Sequence, residues 1–310
     1  MITNIFVLAV SIFLIIKGAM LSTKYAVKFA ENFQVSKFLV GLIIVAVISI
    51  LPETFISINS VLSGVPELGL GTLFGSNVAD LTLAFGIIVL FSGRKNIKIE
   101  NKILKSNAIF PFFLLLPIIL GLDGHYGRLE GLGLILIGVF FYYYAFKNGV
   151  NEAPAIREKG NRLTNFLCLI GSISLLLVGA HFAVDSGVQI ATTLGFSPVL
   201  IGILVIGLGT VIPELLFAFQ AVKKYDDSLA VGDILGTVLA DATIVVGIIA
   251  IIKPFYFPWK IIGITGAFMM MAAFITSYLM HTGKTLTKRE GVFLILYWLT
   301  FVITEYFVNT

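Results

Sequence analysis

Ten long apolar stretches limit what this chain can fold into more than any other feature. They run near residues 2–21, 36–62, 67–92, 106–122, 129–148, 163–184, 196–222, 228–252, 258–280 and 289–307. A helix that crosses the hydrocarbon of a bilayer needs about 20 mostly apolar residues, and each stretch is near that length. A soluble domain has about a quarter of its residues charged. Here 12% are charged and 58% are hydrophobic, more apolar surface than a soluble core of this size can hide. The pattern predicts an all-α membrane protein with ten transmembrane helices, and the lipid bilayer as its first partner. The first stretch lacks a basic start and a small-residue cleavage site, so it reads as a retained helix. Cys168, the single cysteine, excludes a disulfide framework.

The net charge of +4 could suggest nucleic acid, but its placement argues against that partner. If the ten helices cross in turn, only Arg128, Lys253 and Lys260 fall on one side, and the other 18 of the 21 Lys and Arg fall on the opposite side. Such an asymmetry marks the cytoplasmic face of a membrane protein, and it predicts both termini outside.

The sequence also repeats. Ser36–Ile88 aligns with Ser197–Ile249 at a constant offset of 161 residues without a gap. Pro52-Glu53 falls on Pro213-Glu214, Gly75 on Gly236, Asp80 on Asp241, Thr82 on Thr243 and Gly86 on Gly247. Apolar composition can match Leu to Ile by chance, but it cannot match Pro-Glu to Pro-Glu and Asp to Asp in one register. Each copy holds five helices, an odd number, so the second enters the membrane from the opposite side. Inverted repeats of this kind recur among secondary transporters, with the ion site near mid-membrane where the copies meet. The expected organisation is a first five-helix repeat over 1–148, a polar cytoplasmic linker over 149–162, and a second, inverted five-helix repeat over 163–310.

Most charge lies at the ends of the stretches, but Glu53, Asp80, Glu214 and Asp241 lie inside them. An ionisable group at membrane depth costs several kcal/mol and marks function by default. No basic residue occurs at comparable depth, so the compensating charge has to come from outside, as a cation. Pro52 and Pro213 precede the two glutamates, and a proline within a helix removes a donor and releases the carbonyl four residues earlier. Those carbonyls belong to Ile48 and Gly209, and unwound backbone at this depth commonly lines a cation pathway. Thr72, Ser76 and Asp80, and likewise Asp233, Thr237 and Asp241, recur every four residues and share one helix face. Asp233 lies nearer its helix start, where it could line an access path or act as a ligand. The donors are carboxylate, hydroxyl and carbonyl oxygen, which suit Ca²⁺, Mg²⁺, Na⁺ or Mn²⁺ and do not suit zinc or copper. His125, His181 and His281 fall at the predicted helix ends, where solvated or interfacial roles are expected.

With these motifs the chain resembles the cation/Ca²⁺ exchanger superfamily, whose best-known branch is the sodium/calcium exchangers. The motifs are Ile48-Ser-Ile-Leu-Pro-Glu53 with Gly75-Ser-Asn-Val-Ala-Asp80, and Gly209-Thr-Val-Ile-Pro-Glu214 with Gly236-Thr-Val-Leu-Ala-Asp241. The resemblance implies a Ca²⁺ site flanked by Na⁺ sites. Glu53 and Glu214 would be the central ligands, joined by the backbone carbonyls of Ser49 and Thr210. Asp80 and Asp241 would stand beside them, with Ser76 and Thr237 on the flanks. The first and sixth helices would slide against the other eight. Three departures bear on coupling. Ile50 and Val211 replace serines that the family often uses for Na⁺, Ile48 replaces a glycine, and the last motif position is Asp in both copies. Fewer hydroxyls and an added carboxylate favour protons, because crowded buried carboxylates cannot all ionise without cations.

The expected function is therefore a secondary antiporter, working as a monomer, that exchanges Ca²⁺ for Na⁺. A Ca²⁺/H⁺ exchanger is the first alternative, followed by a Mg²⁺ or Mn²⁺ exchanger and a cation channel. The chain has no nucleophile–base pair and no H-E-x-x-H motif, so it is not expected to be an enzyme, and no cofactor is expected beyond the transported ions.

Overall fold

A computed structural model of the protein describes residues 2–31, 37–99, 110–149, 162–195, 200 and 205–309, and these are overwhelmingly helical. In chain order the helices are α1 (Ile2–Glu31), α2 (Gly41–Ser49), α3 (Leu51–Leu62), α4 (Pro66–Phe91), α5 (Phe110–Leu120) and α6 (Arg128–Gly149). They continue as α7 (Arg162–Thr193), α8 (Gly207–Lys223), α9 (Asp227–Ile252), α10 (Ile261–Gly283) and α11 (Lys288–Asn309). Four short strands lie between helices: β1 (Asn96–Lys98), β2 (His125–Tyr126), β3 (Phe255–Tyr256) and β4 (Thr285–Thr287).

Six helices among the described residues, α1, α4, α6, α9, α10 and α11, are long and apolar enough to cross a membrane. α2 and α3 together make a seventh candidate, bent by 44° where they meet. The expectation of ten crossings is thus met in part. The stretches 36–62, 106–122 and 196–222 include residues outside those described, and the sixth falls on α7. The expected linker, 149–162, lies almost wholly outside them as well.

Helix ends depart from the sequence reading where backbone chemistry outweighs hydropathy. α1 continues to Glu31, ten residues beyond the apolar stretch, because Lys24, Ala26, Lys28 and Ala30 are good helix formers and no glycine or proline interrupts them. α7 runs on to Thr193, and Gly195 follows with φ +80°, a left-handed conformation that suits glycine after a helix end. His181 therefore lies within α7 and not at its end, with Nε2 3.6 Å from Asp185. α11 opens on a capping box: Glu290 Oε2 accepts the Thr287 N–H at 2.7 Å, and the Thr287 hydroxyl accepts the Glu290 N–H at 3.5 Å. At α6, Glu130 likewise accepts the Gly127 N–H, at 2.6 Å.

Packing between elements is reciprocal. α1 lies along α7, α3 packs on α4 as α8 packs on α9, and α4 meets α11 as α9 meets α6. β1 pairs with β4 and β2 with β3, both antiparallel. The 161-residue shift seen in the sequence carries α4 residue for residue onto α9 and β2 onto β4. Each half thus contributes one strand to each ribbon. Glycine permits the two matching helix crossings. A Cβ on Gly86 would stand 2.8 Å from the Gly291 carbonyl oxygen, and one on Gly131 would stand 2.7 Å from that of Gly247.

α4 and α9 form the centre, with 83% of each buried, against 27% for the apolar part of α1, 28% for α6 and 22% for α11. The outer helices expose large apolar side chains, among them Phe6, Phe13, Leu136, Phe140, Leu296 and Phe307. Large apolar side chains on the outside and carboxylates within an otherwise apolar interior depart from a soluble protein's arrangement.

Candidate functional site: carboxylates buried without partners

Glu53, Asp80 and Asp241 are each set by a local break in regular helix. Glu53 is in the first turn of α3, just after the bend at Ile50, where Pro52 can open a new helix but cannot continue the old one. Ser49 ends the segment before the bend. The second copy differs: Pro213 lies inside α8, which is continuous from Gly207 to Lys223, so the two Pro-Glu helices are not equally broken among the described residues. Asp80 and Asp241 each begin a single π-helical turn, Asp80–Ala84 in α4 and Asp241–Val245 in α9. π turns inside α-helices occur often at functional sites, and here they occupy matching positions.

These side chains meet in the interior. Glu53, Asp80 and Asp241 are 0% exposed and Glu214 is 1% exposed. Glu214 lies within Coulombic reach of Asp80, Glu53, Asp233 and Asp241, and Asp241 within reach of Glu53 and Asp80. α8 packs on α4, and α3 on the π turn of α9, which accounts for the convergence. Among the described residues no Lys, Arg or His is buried, so no fixed positive charge answers them.

The hydrogen-bond inventory isolates the same place. Among the described residues, twelve buried side-chain oxygens and nitrogens have no partner. They are both oxygens of Glu53, Asp80, Glu214, Asp233 and Asp241, with Asn77 Oδ1 and Thr237 Oγ1. A buried polar atom without a partner costs about 1–3 kcal/mol, more when charged, and native proteins leave few. Here all of them fall on α3, α4, α8 and α9, in one region.

The remaining expected residues divide by their bonding. Ser76 gives its hydroxyl to the Leu73 carbonyl at 3.1 Å. Thr210 stands beside Glu53, but its hydroxyl is also 3.0 Å from the Gly207 carbonyl. Thr237 Oγ1 is free. Ser49 is buried at 9% exposure. Among the described residues no three Asp, Glu, His or Cys side chains close into a compact metal cluster. A cation held here would therefore draw part of its coordination from hydroxyl, carbonyl or water oxygen, as hard cations readily do.

One neighbour of the site was not legible beforehand. Tyr142 of α6 donates its hydroxyl to the Gly236 carbonyl at 2.6 Å and stands within electrostatic reach of Asp241 and Asp233. It is one of three consecutive tyrosines, of which Tyr143 and Tyr144 are exposed, and composition does not say which one turns inward. Asp233, which the sequence placed either on an access path or among the ligands, is fully buried with both carboxylate oxygens unpartnered.

Helices of spanning length around buried carboxylates that lack partners define an integral membrane protein. The chain belongs to the sodium/calcium exchanger protein family, whose model matches residues 3–147 and 164–307, and it is accordingly a cation antiporter of that family. It is 22% identical to the sodium/calcium exchanger MaX1 of Methanosarcina acetivorans, over 98% of this chain and 99% of that one. It is 28% identical to the membrane protein MJ0091 of Methanocaldococcus jannaschii, over 69% and 70% of the two chains. The solved sodium-calcium exchanger NCX_Mj, soaked with 2.5 mM Na⁺ and 0.1 mM Sr²⁺, aligns with a TM-score of 0.80 at 21% identity, covering 96% of this chain and 97% of that one. At that identity the likeness establishes the fold.

Proposed function

We propose that this protein exchanges Ca²⁺ for Na⁺ across a cell membrane by alternating access, as ten crossings in two inverted five-helix repeats with both termini outside. Glu53 and Glu214 are the central Ca²⁺ ligands, with the carbonyls of Ser49 and Thr210, the carboxylates of Asp80 and Asp241, and the hydroxyls of Ser76 and Thr237 around them. One observation carries the reading: every partnerless buried polar side-chain atom among the described residues lies in this one region. Oxygen groups without internal donors are balanced by a visiting cation, and a pair of acidic ligands suits a divalent one. The reciprocal pairings of α4 with α11 and α9 with α6 support two copies of one unit. The bend between α2 and α3 supports backbone that lines an ion path.

A second reading, Ca²⁺/H⁺ exchange, is favoured by Ile50 and Val211, both buried, which put apolar side chains where the family often has serine. Purified protein in proteoliposomes distinguishes the two. Radioactive Ca²⁺ uptake is expected to follow an imposed outward Na⁺ gradient at clamped pH. Uptake that follows only a pH gradient selects the second reading. Uptake needing no gradient of either ion indicates a channel, and no uptake at all removes Ca²⁺ transport.

A further inference from the structure

α6 grips α9 on both sides of Asp241. Beyond the crossing of Gly131 with Gly247, a Cβ on Gly138 would stand 2.5 Å from Thr243 Oγ1, inside the π turn that begins at Asp241. One turn further along α6, the Tyr142 hydroxyl donates to the Gly236 carbonyl at 2.6 Å. Gly236 is also where α2 crosses α9, because a Cβ there would collide with the Leu42 carbonyl and stand 2.7 Å from the Ala46 Cβ. Tyr142 thus holds the point that spaces α9, with Thr237 and Asp241, from α2, which leads to Ser49 and Glu53. The other half has no such tether. Counted from the matching glycines Gly131 and Gly291, Gly138 falls on Trp298 and Tyr142 on Val302, which carries no hydroxyl.

We propose that Tyr142 is a positioning residue that sets the ion-size preference of the site, by fixing the width between its α2–α3 and α9 ligands. The proposal rests on the antiport reading above and on its ligand set. Ca²⁺ binds oxygen at about 2.3–2.6 Å and Mg²⁺ at about 2.0–2.1 Å, so the smaller ion needs a site that contracts around it. A carbonyl held between Tyr142 and the α2 backbone resists that contraction. Without the phenol hydroxyl, α9 keeps its helix but loses its tie to α6, and it can close on the smaller ion.

The test is ⁴⁵Ca²⁺ binding to the purified full-length protein, with Mg²⁺ as competitor, in wild type, Tyr142→Phe and Tyr297→Phe. Tyr297 is the control: it too is half-buried, and its hydroxyl donates to a carbonyl on a neighbouring helix, that of Phe268 in α10, at 2.9 Å. Each variant keeps its ring and loses one hydrogen bond, so both are expected to fold and to lose similar thermal stability. The ratio of Ca²⁺ to Mg²⁺ affinity is expected to fall about fivefold in Tyr142→Phe, the scale of one hydrogen bond, and to keep its wild-type value in Tyr297→Phe. An unchanged ratio in Tyr142→Phe overturns the proposal, and so does an equal fall in both variants, the mark of general loosening. A wild type that binds Ca²⁺ yet carries it under neither a Na⁺ nor a pH gradient in proteoliposomes refutes the antiport reading, while the affinity ratio still decides the role of Tyr142.

Discussion

Replacing Glu53 or Glu214 with glutamine preserves shape and volume while removing charge, so it separates ligation from packing. Both side chains are fully buried and without donors. An amide there is less costly to desolvate than a carboxylate, so each variant is expected to fold and to melt no lower than wild type. Removing one charged ligand from a buried cation costs at least about 3 kcal/mol, roughly a hundredfold in affinity. Ca²⁺ uptake is therefore expected to vanish in Glu53→Gln and in Glu214→Gln at concentrations that saturate wild type. Near-normal transport by either variant would remove that residue from the ligand set.

At the scale of elements, the Pro-Glu helices are anchored at their far ends by cations from the other half. Lys253 Nζ donates to the Val61 carbonyl at 3.1 Å, at the end of α3, and Arg94 Nη1 donates to the Val222 carbonyl at 3.3 Å, at the end of α8. Val61 and Val222 are matching positions of the repeat. Cations near helix C-termini are favourable, but the two anchors differ in strength. Arg94 also pairs with Asp227, lies over the Tyr225 ring at 4.4 Å, and shares Asp227 with the Lys98 N–H at 2.8 Å. Arg94→Gln leaves Asp227, 8% exposed, without its cation, at a cost of about 3 kcal/mol. Lys253→Met removes one hydrogen bond, at about 1 kcal/mol. In thermal unfolding of the detergent-solubilised protein, Arg94→Gln is expected to lower the midpoint more than Lys253→Met, and adding Asp227→Asn should recover part of the loss. Equal effects would show that the ion pair adds nothing.

The same scale shows what a sequence can reveal. Pro52-Glu53 and Asp80 were legible, as were their partners 161 residues on, because a charged or helix-breaking residue inside an apolar stretch is conspicuous. The π turns at Asp80 and Asp241 were not, since a shift from i→i−4 to i→i−5 bonding leaves no compositional mark. Nor were the ribbons, because strands of two or three residues fall below any alternating pattern. The unequal breaks at Pro52 and Pro213 were also hidden, because the local motifs are nearly the same and the neighbouring helices decide the outcome.

At the scale of the whole molecule, the ribbons bear on topology. Antiparallel partners must lie on one side of the membrane, so an even number of crossings separates β1 from β4, and likewise β2 from β3. Ten crossings with the termini outside meet both conditions, placing β1 and β4 inside and β2 and β3 outside. The same count puts Arg94 inside and Lys253 outside, consistent with the scarcity of Lys and Arg on the outer face. A membrane-impermeant maleimide tests this in intact cells, with Cys168→Ser as the background. Tyr256, 78% exposed on β3, and Lys95, exposed beside β1, report on opposite faces. Tyr256→Cys and Asn309→Cys are expected to label without permeabilisation, and Lys95→Cys only after it. Labelling of Tyr256→Cys and Lys95→Cys from the same side would require an even number of crossings between the ribbons. That would leave β1 and β2 on one face, and the two five-helix units could no longer be inverted copies.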